Sequence, residues 1–222
     1  MTTLTPRLDV LPAPQQRLWP QLRPAANLGF VLYGGTAIAL RLGHRVSVDF
    51  DFFRETPLDY AELHRALPFL TQATVMQEQP AAFSVLVTHD GGMPVKLSFF
   101  GPVRFGRVGI PEVTDDGVMQ VASLDDLMAT KLKVILQRAE AKDYRDIAAM
   151  VRAGVALDKG LAAAQVMFQP GLQPSESLKA LVYFDGGDLA ELAAVDKQVL
   201  VNAVNAIRDL PSAAVLSAHL TL

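Results

Sequence analysis

Hydrophobic positions in the first half of the chain recur at the short spacing of strands. Residues 28–33, LGFVLY, form an apolar run that predicts a buried strand. Residues 46–53, VSVDFDFF, alternate between polar and apolar and predict the best-defined strand of the chain. Three further runs, 72–79, 82–88 and 94–100, predict strands, and Gly91-Gly92 between the last two is a hairpin signal. Gly34-Gly35 predicts a turn, and TAIALRLG after it predicts a helix that closes at Gly43. Pro57 and Asp59 open a helix running to about Leu67. Residues 103–121 predict short strands and loops around Gly106, Gly109 and Pro111. Pro6, Pro12, Pro14, Pro20 and Pro24 leave room only for short helical pieces before residue 28.

The pattern changes at Ser123. The segment S-L-D-D has the form of a helix N-terminus, with a hydroxyl cap and acids in the first turn. Beyond it the chain is mainly Ala- and Leu-rich helix, interrupted near Gly154, Pro170, Pro174 and Gly186-Gly187. Strands first and helices later predict an α+β protein, with a mixed-sheet lobe over 1–122 and a helical lobe over 123–222.

Composition narrows the chemistry. Half of the 222 residues are apolar and 19% are charged, which supports a substantial core and argues against disorder. The net charge of −3 argues against a general nucleic-acid coat but allows a local basic pocket. There is no cysteine, so disulfides and thiolate zinc sites are excluded. His44, His64, His89 and His219 show no H-x-x-x-H spacing, and a metal is expected on oxygen ligands. The first residues, MTTLTPRLDVLPAP, do not read as a signal peptide, and no run of about 18 apolar residues is present. The expected location is the cytoplasm, with no membrane partner.

Two features carry candidate chemistry. In Gly34-Gly35-Thr36 the glycines allow close approach of a bulky group. The Thr36 hydroxyl and the helix amides behind it can bind phosphate oxygens, although G-G-T alone also fits a simple turn. On the following strand, alternation places Ser47, Asp49, Asp51 and Phe53 on one face and Val48, Phe50 and Phe52 on the other. Carboxylates two apart on a strand are separated by roughly 6–7 Å along the backbone and reach one cation or a close pair. A bound Mg²⁺ or Mn²⁺ relieves their repulsion and leaves positions open for phosphate and water. An exposed edge strand with solvated acids is the alternative.

The string G-G-T-A-I-A-L-R-L-G-H-R-V-S-V-D-F-D-F-F resembles the first signature of the AbiEii/AbiGii-type nucleotidyltransferases, toxins of the polymerase-β-like superfamily. The resemblance implies a minimal nucleotidyltransferase fold and transfer of a nucleoside monophosphate from a nucleoside triphosphate to an acceptor such as tRNA. It also implies Asp49 and Asp51 as metal ligands and catalytic acids, with Gly34, Gly35, Thr36 and Ser47 at the substrate. A separately encoded antitoxin is the implied partner. The same fold also admits a catalytically degenerate nucleotide- or RNA-binding module, or a phosphotransferase acting on a protein partner.

Residues 131–147, KLKVILQRAEAKDYRDI, complete the reading. If helical throughout, they align Lys131, Arg138, Lys142 and Arg145 in one basic stripe, which suits a phosphate clamp. A solvated face with Lys142 paired to Asp146 is the alternative, and a helix break near Ala139–Ala141 would spoil the stripe. The segment is similar to later AbiEii motifs. That similarity implies triphosphate contacts from Lys131 and Arg138, with Lys142 and Asp146 at the substrate. Asp143 is implied as the base or substrate-orienting acid; read from the residues alone, it fits equally the N-cap of a new helix. Polymerase-β-like enzymes carry a third carboxylate on a later strand. In PVKLSFF, 94–100, that position holds Ser98, beside Lys96 and Phe100 on one face, with Asp90 and Glu112 as substitute acids.

Overall fold

The computed structural model describes residues 3–88 and 92–222. The chain divides into two compact units. The first comprises 1–106, 110–122 and 218–222, and the second 107–109 and 123–217.

In chain order the first unit contains β1 (Thr3–Leu4), α1 (Ala13–Leu18), α2 (Arg23–Asn27), β2 (Val31–Tyr33), α3 (Gly34–Leu42), β3 (Asp49–Phe53) and α4 (Tyr60–Ala66). It continues with β4 (Thr74–Gln79), β5 (Ala82–Val87), β6 (Val95–Phe100), β7 (Glu112–Thr114) and β8 (Gln120–Val121). These strands form one mixed sheet in the order β1-β7-β8-β2-β3-β6-β5-β4. β3 is central, antiparallel to β2 and parallel to β6.

Local chemistry accounts for the boundaries. Asp59 caps α4 by accepting from the Glu62 amide, and Gly43 closes α3 in the left-handed conformation. The early prolines do restrict the N-terminal region to short pieces, and the apolar stretch before Gly34 becomes a strand only from Val31. Leu28 ends α2 instead, and Gly29 turns the chain with φ 81°. The strand expected from residue 46 begins at Asp49, because the preceding backbone is held by other groups: the Val48 carbonyl accepts from the Gln15 side chain at 2.8 Å. β5 and β6 pair antiparallel; Gly91, half of the expected hairpin signal, lies outside the described residues.

One face of the sheet carries the core. Phe50 and Phe52 of β3 are fully buried and stack in a series that joins Trp19, Phe99 and Phe83. Burial of each such ring stabilises by about 1.5–3 kcal/mol, so β3 is among the most firmly anchored strands of the unit.

The second unit contains α5 (Leu124–Val134), α6 (Ala141–Arg152), α7 (Leu157–Met167), α8 (Pro174–Val182) and α9 (Ala194–Ala206). Ser123 caps α5 by accepting from the Asp126 amide at 3.1 Å. α5 and α7 pack closely at Gly160, where an added Cβ would lie 2.3 Å from Met128 Cγ. The segment 131–147 is not one helix but two, as the alternative of a break near Ala139–Ala141 allowed. Glu140 adopts extended backbone (φ −119°, ψ 125°), and the first amide of α6, on Ala141, donates to the Asp188 carboxylate at 2.6 Å. Among the described residues no helix is long and apolar enough to cross a membrane.

Candidate functional site

β3 presents its acids by simple alternation. Phe50 and Phe52 point into the core, which leaves Asp49, Asp51 and Phe53 on the opposite, partly exposed face. The sheet register fixes their neighbours. Asp51 lies opposite Tyr33 of β2 and level with Ser98 of β6, and Asp49 lies level with Lys96.

The glycine pair is the first turn of α3 itself. Gly34 has φ 71°, and a Cβ on it would stand 2.4 Å from Asp51 Oδ2. Any side chain there would displace the carboxylate, so glycine is needed for Asp51 to rest against the start of α3. Tyr33, the N-cap, gives no side-chain cap, and the first amides of α3 have no partner within the helix. Thr36 is buried, and its hydroxyl donates to the Asp49 carbonyl. Ser47 therefore donates to the Thr36 hydroxyl, at 2.7 Å. Thr36, expected at phosphate, and Ser47, expected at the substrate, fasten the entry of β3 to α3 and so hold Asp49 in place.

The two remaining acids considered as substitutes are placed differently. Glu112 is ion-paired with Arg41, whose guanidinium also donates to the carbonyls of Ala122 and Val121. Asp90 lies outside the described residues. Ser98 is 1% exposed and accepts from Ser84 at 3.2 Å. Among the described residues no three His, Asp or Glu side chains converge as a metal site. The two aspartates still fit a hard divalent cation: they share a face, remain partly exposed, and face a helix start that carries no Cβ. Such an ion needs only one or two protein carboxylates when phosphate and water fill its other positions.

Lys131, Arg138 and Lys142 of the second unit each pair with acids of that unit. Lys131 is 5% exposed, and its ammonium bridges Asp143 and Asp146, reaching Asp146 Oδ2 at 2.7 Å. Arg138 grips Asp143 from the other side, Nε to Oδ2 at 2.9 Å and Nη2 to Oδ1 at 3.3 Å. Both carboxylates are fully buried. Burial pushes the Asp143 carboxyl up, but Lys131 and Arg138 outweigh it and hold it below the usual value. An acid so held is a weak proton acceptor. Asp143 stands in the first turn of α6 and does not cap it; the N-cap is Glu140. Lys142 pairs with Glu140 at 2.9 Å instead of Asp146. The helix break thus replaces a continuous stripe by a buried knot of two acids on one lysine. The spacing K-x11-D-x2-D could have signalled this knot only to a reader who already knew where the chain turns.

A model of the family described as nucleotidyl transferase AbiEii toxin, type IV toxin–antitoxin system, matches residues 21–182. The chain belongs to this family. The match spans both the β3 aspartates and the Lys131 knot. An uncharacterized protein of Aquifex aeolicus (strain VF5) is 34% identical over 125 residues, 55% of this chain and 58% of that protein. The AbiEii chain described here therefore spans little more than half the length of that relative. The crystal structure of an antigenic nucleotidyltransferase-like protein from Paracoccidioides brasiliensis superposes with a TM-score of 0.52 over 90% of this chain and 96% of its own, at 17% identity. At that identity the likeness shows a shared α+β nucleotidyltransferase fold. The solution structure of the antibiotic-resistance factor ANT(2'')-Ia matches with a TM-score of 0.47 at 17% identity, over 66% of this chain and 86% of that one.

Proposed function

We propose that this AbiEii-family protein transfers a nucleoside monophosphate from a nucleoside triphosphate to an acceptor hydroxyl on RNA, with tRNA the leading acceptor, and releases pyrophosphate. The observation that carries the reading is the pair Asp49 and Asp51 on one face of β3, with Asp51 against the uncapped start of α3. Mg²⁺ or Mn²⁺, held by these two carboxylates, would supply charge neutralisation and alignment for in-line attack. The amides of Gly34 and Gly35 at the helix start would orient phosphate oxygens. Thr36 and Ser47 act behind them by fixing β3 to α3. As an AbiEii-family toxin, the protein is further proposed to act in the cytoplasm, opposed by a separately encoded antitoxin.

The test is incubation with α-³²P-labelled nucleoside triphosphates, Mg²⁺ and total tRNA. Label should pass to RNA, and Asp51→Asn should cut transfer by about 100-fold or more, because loss of a metal ligand forfeits several kcal/mol of transition-state stabilisation. Transfer that persists in Asp51→Asn refutes the reading.

A second reading rests on Ser98, which occupies the position level with Asp51 where a third acid is expected. On that reading the fold binds nucleotide without transferring it. Tight Mg²⁺-dependent nucleotide binding with no label transfer to any RNA favours this module.

A further inference from the structure

The face of β3 and β6 that bears the acids changes in character along the strands. Three rows lie in register: Asp49 with Lys96, Asp51 with Ser98, and Phe53 with Phe100. Successive rows are separated by two residues, roughly 6.6 Å. The face therefore runs from charged, through small and polar, to aromatic. Phe53 and Phe100 are both partly exposed, although neither is needed for the core on the opposite face.

The rings are held in position. Phe53 stacks on Phe100 with centroids 4.8 Å apart and planes at 27°. Tyr33 meets Phe53 edge-on at 5.2 Å, and Phe105 leans against it at 6.1 Å. Phe53 is thus fixed from several sides. Phe100 is different: one face lies on Phe53, and its in-register neighbour on the other side is Ala82 of β5, which offers only a methyl group. Among the described residues no ring covers that second face.

We propose that Phe100, backed by Phe53, is the stacking surface for the base of the nucleoside triphosphate whose phosphates lie at Asp49 and Asp51. The inference rests on the nucleotidyltransferase reading of that site. A flat, partly exposed ring that stacks on only one other described ring suits a nucleobase, since every base has a π-face, and stacking of this kind tolerates differences between bases. Lys96, exposed in the charged row, lies at the phosphate end of the same line. The three rows together set the direction of the nucleotide, with phosphates toward Asp49 and base toward Phe100.

The experiment is calorimetric titration of the full chain with Mg²⁺ and each of the four nucleoside triphosphates, in parallel with Mg²⁺ and inorganic tripolyphosphate. The wild-type protein should bind at least one nucleotide ~10-fold or more tightly than tripolyphosphate. Phe100→Leu should remove most of that advantage and leave tripolyphosphate binding unchanged, which also reports an intact fold; Phe100→Tyr should keep the advantage. Phe53→Leu should act in the same direction but less strongly. Equal wild-type affinity for nucleotide and tripolyphosphate overturns the stacking surface and leaves the phosphate site standing. Unchanged nucleotide affinity in Phe100→Leu overturns it too, including the case in which only RNA binding weakens. If the wild-type protein binds neither ligand with Mg²⁺, the underlying reading of Asp49 and Asp51 fails and the inference falls with it.

Discussion

Asp143 and Asp146 lie on one face of α6, fully buried, with Lys131 bridging both and Arg138 closing on the first. Asp49 and Asp51 lie on one face of β3 and are partly exposed. Lys96, level with Asp49, remains exposed and closes no ion pair on it. Each region sets two carboxylates side by side, and the two pairs differ in burial and in how the first acid of each is matched. The helical pair is neutralised by side chains of its own unit and is sealed from water. The strand pair keeps solvent access, and among the described residues Asp49 has no ion pair at all. An internally compensated pair is suited to holding helices together. A pair left open to solvent is suited to a cation that arrives from outside.

The sharpest way to break this comparison is to remove the internal cation. Lys131→Met removes the cation that bridges two buried carboxylates and leaves their repulsion unbridged. Breaking a buried ion pair on one side costs about 3–5 kcal/mol. Urea unfolding at neutral pH should show a loss of that order. A loss below about 1 kcal/mol would mean that Asp143 and Asp146 do not depend on Lys131, and the contrast with the strand pair would collapse.

The knot should also respond to pH, and the sign follows from the carboxylate. Asp143 is held below its ordinary value in the folded protein, while an unfolded Asp titrates near 3.9. Its contribution is therefore fully present above about pH 3.9 and is lost as pH falls from there through the lower folded value. Asp143→Asn should be less stable than the wild type at pH 7, and the gap should narrow in chemical denaturation at pH 3. A gap that stays constant over this range would show that the ionised form of Asp143 is not what stabilises α6.

How far each region could be read in advance follows from the range of the forces that shape it. β3 was legible because alternation is local: Phe50 and Phe52 can only turn toward the core together, which sends Asp49 and Asp51 the other way. Gly43, Asp59 and Ser123 were legible as helix ends for the same reason, since a cap is satisfied within three or four residues. The break before α6 was open to the sequence as an alternative near Ala139–Ala141, but its cause was not legible. Ala139, Glu140 and Ala141 are all good helix formers, yet α5 already ends at Val134, and the first amide of α6 is taken by a partner 47 residues away, the Asp188 carboxylate on Ala141. The missing strand at Val46–Val48 has a similar origin, because a side chain from α1 takes the Val48 carbonyl. Nor does periodicity foretell that β3 pairs with β6 and not with β4 or β5. The positions of Thr36 and Ser47 belong to the same class: the motif marks them, but only the packed structure turns their hydroxyls inward.

The smallest expected effect bears most directly on the contrast. Asp49→Asn removes one of two like charges at a separation of about 6.5 Å, where repulsion amounts to ~0.6 kcal/mol in water. In the presence of EDTA the substitution should therefore leave thermal stability unchanged or raise it slightly, whereas Asp143→Asn under the same conditions should lower it. Addition of Mn²⁺ should then stabilise the wild-type protein and not Asp49→Asn, since a ligand that binds only the folded state raises stability by mass action. If Asp49→Asn is instead as damaging as Asp143→Asn in EDTA, the carboxylate of Asp49 holds the fold together just as the buried pair does. The strand pair would then be a second structural knot, with no vacancy for an incoming cation to fill.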